Sequence, residues 1–354
     1  MDLMQPINVA ITSYGMSGMV FHGPLLEAHP GYRILSILER NRSDSSGKHP
    51  ESTIVRSYDK ILNDPDVELV VVNTPDHLHY DMARKAILSG KHVVIEKPVT
   101  LRSDQAGELD LLGQEKGVVV SVFHNRRWDG DFQTVQEVIR SEKLGRLVDF
   151  ESHFDRYRKT IKESWKDQSN GTGTLYNLGS HLIDQALLLF GMPGKLYCDV
   201  RRLRDGAKTD DSFDLFLIYD AFKCLLRSSY LVREPGPRFI LHGTEGSLVV
   251  WGTDPQEEAL KAGTKPGIPG WGSDHSSSRA KINTVVQQRE TVGEYRVLPG
   301  NYMAFYDNLL KAIRQGAPPD VTCLQAANVI RIIEAAYLSG REKRVVTPGQ
   351  TGRG

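Results

Sequence analysis

The apolar runs inside Leu69 to Asn73 and His92 to Glu96 are separated by one helical pattern, His77 to Ser89. A strand that is apolar without alternation is buried on both faces, as happens in parallel sheets covered by helices. The neighbouring segments repeat the plan. Strands are expected at Ile7 to Thr12, Tyr32 to Leu38, near Thr53 to Arg56, and at Val118 to Phe123, with helices at about Ser17 to Ala28 and Ser103 to Lys116. Strands joined through helices require right-handed crossovers, so residues 1–124 are predicted to form an α/β, doubly wound parallel sheet. Gly90 and Gly117 directly follow helical patterns, where a stop residue belongs.

Beyond Phe123 the texture changes. Leu147 to Arg156 alternates, with Val148, Phe150, Ser152 and Phe154 on one side and Asp149, Glu151, His153 and Asp155 on the other. Such alternation marks a half-exposed, mainly antiparallel sheet. Further strands are expected at Lys195 to Arg204, Phe213 to Tyr219, Phe222 to Tyr230, Arg238 to Leu241 and Ser247 to Trp251, with a helix at Asn177 to Phe190. Residues 125–354 therefore form a second, α+β domain. Within it, 252–300 reads as an irregular excursion, Tyr302 to Gln315 and Leu324 to Arg341 as closing helices, and 346–354 as a loose tail.

The 354 residues carry 44 basic and 44 acidic side chains, which supplies no positive field for a nucleic-acid partner. The three cysteines, Cys198, Cys224 and Cys323, are widely spaced, and the histidines at 22, 29, 49, 242 and 275 have no ligand spacing. No metal is expected, and a reducing, cytoplasmic location suits the thiols. No run of 18 apolar residues calls for a membrane.

The turn after the first strand, Ser13-Tyr14-Gly15-Met16-Ser17-Gly18, has the spacing of a dinucleotide-binding GxGxxG turn with serine first. Its middle glycine lets backbone approach a pyrophosphate, its last lets helix pack on strand, and the helix start supplies free amides. A tight turn without a ligand is the plain alternative. Glu39 closes the second strand about 20 residues beyond Gly18, where a carboxylate would accept from the ribose hydroxyls and favour NAD. Arg40 and Arg42 follow, and they would hold a 2′-phosphate, and so NADP, if Glu39 turned aside. Asn73 and Thr74 end the fourth strand; Asp76 is a candidate helix cap, and Thr74 and His79 are expected on the nicotinamide side. In His92-Val93-Val94-Ile95-Glu96-Lys97-Pro98, the proline stops the strand and leaves Glu96 and Lys97 at the carboxyl end, where ligands of such sheets bind.

TPDHLH, SGKHVVIEKP, SVFHNRRWDGDF, ESHFDRYR, GTGTLYNLGSHLIDQALLLFG and ILHGTEGSL, in that order, resemble the Gfo/Idh/MocA oxidoreductase family over nearly the whole chain, in its scyllo-inositol 2-dehydrogenase-like branch. The resemblance implies a Rossmann domain, an open-faced sheet domain used for homo-oligomerisation, NAD or NADP as cofactor, and a polyol or sugar substrate. It maps the family's EKP lysine to Lys97 and its Asp-x-x-x-His helix motif to Asn177 and His181. A histidine is the usual acceptor of an alcohol proton, and an ammonium would stabilise the developing alkoxide. Asn177 departs from the family's aspartate and brings no charge to the imidazole; Asp184 is a partial substitute. Asn125 is expected at the nicotinamide, and Arg126, Arg127, Trp128 and Tyr157 at the substrate, with ion pairing as the plainer role for the arginines. Recycling of a retained dinucleotide and a non-catalytic sensor are the alternatives.

Overall fold

The computed structural model describes residues 5–161, 172–273, 278–286 and 289–349. It divides into two compact units: residues 1–128 with 255–272 and 301–327, and residues 129–254 with 273–300 and 328–354. A cut at 124 thus misses the two later segments that fold with the first unit.

In the first unit the chain runs β1 (Ile7–Ile11), a π-turn (Gly18–His22) continuing into α1 (Gly23–Ala28), β2 (Tyr32–Leu38), β3 (Thr53–Val55) and α2 (Tyr58–Leu62). It goes on through β4 (Leu69–Val72), α3 (His79–Leu88), β5 (His92–Ile95), α4 (Ser103–Lys116) and β6 (Val120–Val122). Among the described residues these strands form a parallel sheet in the order β3-β2-β1-β4-β5-β6. All of β4 and the last three residues of β5 are fully buried, as their unbroken apolar runs require. The order reverses between β1 and β4, which opens the crevice where ligands of doubly wound sheets sit. Gly117 takes φ 65° and ψ 28° at the end of α4, the left-handed cap that a side chain would strain.

The second unit contains α5 (Gly130–Arg140), β7 (Leu147–His153), α6 (Ser180–Phe190), β8 (Lys195–Arg201), β9 (Ser212–Ile218), β10 (Lys223–Ser229), β11 (Phe239–Gly243) and β12 (Gly246–Gly252). Beyond the short α7 (Gln256–Lys261), β13 (Ser278–Val286) and β14 (Arg289–Tyr295) complete its sheet, in the order β14-β13-β12-β11-β7-β10-β9-β8. Within this second sheet only the β7–β10 pair among the described strands is parallel. The last helices are α8 (Met303–Gln315) and α9 (Cys323–Glu342). One sheet face is covered: Phe132 of α5 meets Phe239, and Phe190 of α6 meets Phe150. In β9, Phe213, Leu215 and Leu217 lie on that buried face and Phe216 and Ile218 on the other. A one-residue slip would exchange them, and each large side chain is worth about 1.5–3 kcal/mol when buried, so the register is firmly set.

Two expectations need correction. The stretch 252–300 is not irregular throughout, because it holds α7 and the β13–β14 hairpin. Ala280, Ile282 and Thr284 are buried while Arg279, Lys281 and Asn283 are exposed, an alternation masked in the sequence by flanking Gly, Pro and Ser. The tail is also anchored at its start, since Val346 and Leu196 exchange backbone hydrogen bonds of 2.8 and 2.9 Å; residues 350–354 lie outside the described residues. No helix among the described residues is long and apolar enough to cross a membrane.

Candidate active site

The turn between β1 and α1 is built by its own polar groups. The Asn73 amide donates to the Ser13 carbonyl at 2.7 Å, and the Gly15 amide donates to Ser13 Oγ at 3.3 Å. Asn73 is therefore a brace for the glycine turn from the end of β4, where a ligand contact had been expected. A Cβ on Gly18 would lie 2.3 Å from the Ser13 carbonyl oxygen, so helix and strand approach as only glycine permits. At Gly15 an added Cβ would meet nothing nearer than Ser13 Oγ at 3.5 Å. Gly15 and Met16 are exposed, leaving backbone amides and open space at the start of a helix, which fits a pyrophosphate. Tyr14 turns inward, its ring edge-on to His49 at 5.4 Å, and burial with the charges of Glu27, Glu39 and Asp44 pushes its phenol up to about 12.

Glu39 does not present its carboxylate to a ribose. The side chain is buried and accepts hydrogen bonds from the Asp44 amide (2.8 Å), the Ser45 amide (3.0 Å) and the Ser45 hydroxyl (2.5 Å). Burial alone would raise its pKa, but these bonds, with the Arg56 charge, hold it below the ordinary carboxylate range. Arg56 closes the same loop from β3's end, donating to the carbonyls of Glu39 and Arg42 and to Ser43 Oγ. Arg40 and Arg42 are left exposed. The carboxylate on which a preference for NAD rested is thus consumed by the loop.

At the ends of β4 and β5 the expected ligand contacts are again partly structural. Thr74 Oγ1 lies 3.5 Å from Met82 Sδ. His79 is 1% exposed and spans two carbonyl oxygens, Pro98 from Nδ1 and Thr74 from Nε2, each at 2.8 Å. It cannot line the nicotinamide side, because both ring nitrogens are taken inside the protein. Glu96 likewise points inward: Oε1 meets His22 Nε2 at 3.1 Å, and Oε2 accepts the Lys97 amide at 3.0 Å. Burial pushes its carboxyl up, but the hydrogen bond from His22 and the positive charge around it, that of Lys97 included, bring it below the usual range. Lys97 follows directly, through a cis peptide to Pro98, at the carboxyl end of β5.

The turn Asn125–Trp128 follows β6, with Asn125 buried. Arg126 is ion-paired with Glu257 of α7, whose carboxyl burial would raise but Arg126 and Lys261 bring down to about 2. Arg127 donates to the Asp320 carbonyl at 2.6 Å and to Gln325 Oε1 at 3.1 Å. Within the first unit, then, Arg126 makes an ion pair and Arg127 makes hydrogen bonds to neutral acceptors. Trp128 packs edge-on against Phe305 at 5.8 Å, and its carbonyl accepts from Asn301 and Gln256.

In the second unit, Asn177 lies in a π-turn (Leu175–Gly179) that runs into α6 and carries His181 one turn later. Asp210 caps this helix, accepting from the Leu175 amide at 2.8 Å and from the Tyr337 hydroxyl at 2.6 Å. Gly173, at φ 65°, is required there, since a Cβ would lie 2.0 Å from the Asp210 carboxylate. The Asn177 amide donates to Tyr230 Oη at 3.2 Å, and the His181 ring is edge-on to Phe154 at 6.5 Å. Asp184 is buried on the same helix. Tyr157 is exposed beyond the end of β7, in an isolated bridge with Leu231, and stacks under Arg233, which also donates to its hydroxyl at 3.0 Å.

Two family descriptions match the chain: an oxidoreductase family, NAD-binding Rossmann fold over residues 7–124, and the corresponding oxidoreductase family, C-terminal alpha/beta domain over 136–347. The chain belongs to the Gfo/Idh/MocA oxidoreductase family. Among Gfo/Idh/MocA relatives, scyllo-inositol 2-dehydrogenase (NADP(+)) IolW of Bacillus subtilis is 40% identical over 341 residues, 96% of this chain and 95% of that protein. The uncharacterized oxidoreductase YdgJ of Escherichia coli is 38% identical over 95% of this chain and 97% of its own. A putative oxidoreductase from Bacteroides fragilis superposes with a TM-score of 0.90 at 43% identity, covering 97% of this chain and all of that one.

This Gfo/Idh/MocA protein is an NAD(P)-dependent dehydrogenase. When bound, the dinucleotide supplies the hydride acceptor or donor; the exposed amides after Gly15 are the groups here that would hold its pyrophosphate. Sequence reasoning passed over His22 and Tyr306, because nothing in their spacing from Glu96 shows that the fold brings them together.

Proposed function

We propose that this dehydrogenase interconverts a secondary ring alcohol and its ketone in a cyclic polyol of the inositol type, with NADP(H) as its dinucleotide. The observation that carries the cofactor choice is the inward turn of Glu39 onto its own loop, which removes the group that would repel a 2′-phosphate and leaves Arg40 and Arg42 exposed beside it. The NADP(+) in the name of the Bacillus relative supports the same choice, and its scyllo-inositol the substrate class.

In oxidation the alcohol carbon gives up two electrons with its hydrogen and the hydroxyl gives up a proton. His181 is assigned as acceptor of that proton and Lys97 as the ammonium that stabilises the alkoxide as it forms. Asn177 orients by hydrogen bonding without adding charge. The protein is further proposed to self-associate through the uncovered face of the second sheet, where Phe216 and Ile218 are 42% and 39% exposed and Tyr197 packs against Phe216.

The test is absorbance at 340 nm with a panel of inositols and aldoses and each cofactor, using the wild-type chain and Lys97→Met. Turnover of an inositol with NADP, lowered at least about 1000-fold by the substitution, is the expected result. Absence of turnover on every cyclic polyol, or a Lys97→Met enzyme within about tenfold of wild type, would overturn the assignment.

A further inference from the structure

Lys97 stands between two neighbours that are each gripped by a buried imidazole. On one side, His22 at the end of the π-turn reaches Glu96 Oε1 from Nε2 at 3.1 Å, while its Nδ1 lies 2.7 Å from the Tyr306 hydroxyl on α8. On the other, His79 at the start of α3 reaches the Pro98 carbonyl. His22 and Tyr306 are 0% exposed, so these rings act from behind the strand end and not on a ligand.

The protons in the first chain are determined by chemistry. A carboxylate only accepts, so Nε2 of His22 carries a hydrogen, and in the neutral ring Nδ1 is then left to accept from the phenol. The phenol keeps its proton, since burial holds Tyr306 well above its ordinary pKa. The result is a directional chain, Tyr306 O–H to His22 to the ionised Glu96, whose second oxygen holds the Lys97 amide. A buried polar chain of this kind is no more stable than apolar packing of the same volume, so its usefulness lies in specifying one geometry. The π-turn that ends on His22 accords with this, because such widened turns are frequent at functional sites.

We propose that His22 and His79 are positioning residues for Lys97, holding Glu96 and Pro98 so that the lysine backbone is fixed on both sides, with Tyr306 setting the His22 tautomer. The proposal rests on Lys97 acting at the reacting oxygen. A displacement of about 1 Å at such a group costs on the order of 100-fold in rate.

The test compares His22→Leu, His22→Gln, His79→Leu, Tyr306→Phe and Lys97→Met for kcat, KM, the pH profile of kcat, NADPH affinity by fluorescence and thermal midpoint. His22→Leu is expected to lower kcat about 100-fold, with NADPH affinity within about threefold of wild type. Its acid limb should move to higher pH, because Glu96 loses the donor that keeps it ionised while Lys97 and His79 remain its charged neighbours. His22→Gln, whose amide can still donate to Glu96, should recover at least about tenfold, and Tyr306→Phe should fall between. A kcat unchanged in both leucine variants would overturn the proposal. So would a loss that follows NADPH affinity and thermal midpoint, with no shift of the acid limb and no rescue by glutamine. If the leucine variants do not fold, the glutamine and phenylalanine variants decide by the acid limb alone. Full turnover by Lys97→Met would instead remove the assignment of the lysine itself.

Discussion

Replacing Glu39 by alanine separates its two possible roles. In the structure the carboxylate satisfies the Asp44 amide and both the amide and the hydroxyl of Ser45. Asp44 is exposed and its amide can turn to water, but Ser45 is fully buried. Two buried donors left unsatisfied cost about 1–3 kcal/mol each, so a loss of about 2–4 kcal/mol is expected after partial relaxation. For a unit of this size that lowers the thermal midpoint by about 5–15 °C in a calorimetric scan. The carboxyl titrates below its ordinary range when folded, so its stabilisation is complete above the unfolded value of 4.5 and lost as pH falls through the lowered folded value. The variant should therefore lose less stability on acidification than wild type. Since the loop supports either cofactor, NADH and NADPH affinities should fall together, with their ratio changed by less than about threefold. If NADH affinity falls while NADPH affinity rises, so that the ratio changes by about tenfold or more, the carboxylate faces the ribose and the reasoning fails.

The two glycines of the turn should behave oppositely. Gly18→Ala drives a Cβ into the Ser13 carbonyl and is expected to cost more than about 3 kcal/mol in chemical denaturation, whereas Gly15→Ala should keep the native midpoint yet lose dinucleotide binding in fluorescence titration. Phe216→Glu with Ile218→Glu should convert an oligomer to a smaller species in light scattering without lowering the thermal midpoint of the chain; an unchanged mass would exclude this face as the interface.

Much of the fold was legible because its strongest signals are local. Unbroken apolar runs at β4 and β5 announce strands covered on both faces, and alternation in β7 announces a half-covered sheet. The β13–β14 hairpin was not legible, since polar side chains fill its exposed positions and Gly, Pro and Ser surround it. Candidate site residues divide in the same way. Lys97 at a strand end and Gly18 at a strand–helix junction follow from spacing along one segment. The inward turns of Glu39 and His79, and the pairing of Glu96 with His22 and of Arg126 with Glu257, depend on partners that the sequence leaves 5 to 131 residues away.

By itself, then, the order of residues determined the parallel sheet, the dinucleotide turn, the family and the position of Lys97 at a strand end, because hydrophobic period, proline and glycine act over a few neighbouring residues. Only the tertiary structure decided which polar groups remain available for a ligand. A buried donor or acceptor must find a partner wherever the fold supplies one, and here that demand turns Glu39 to its own loop and locks Glu96 behind Lys97.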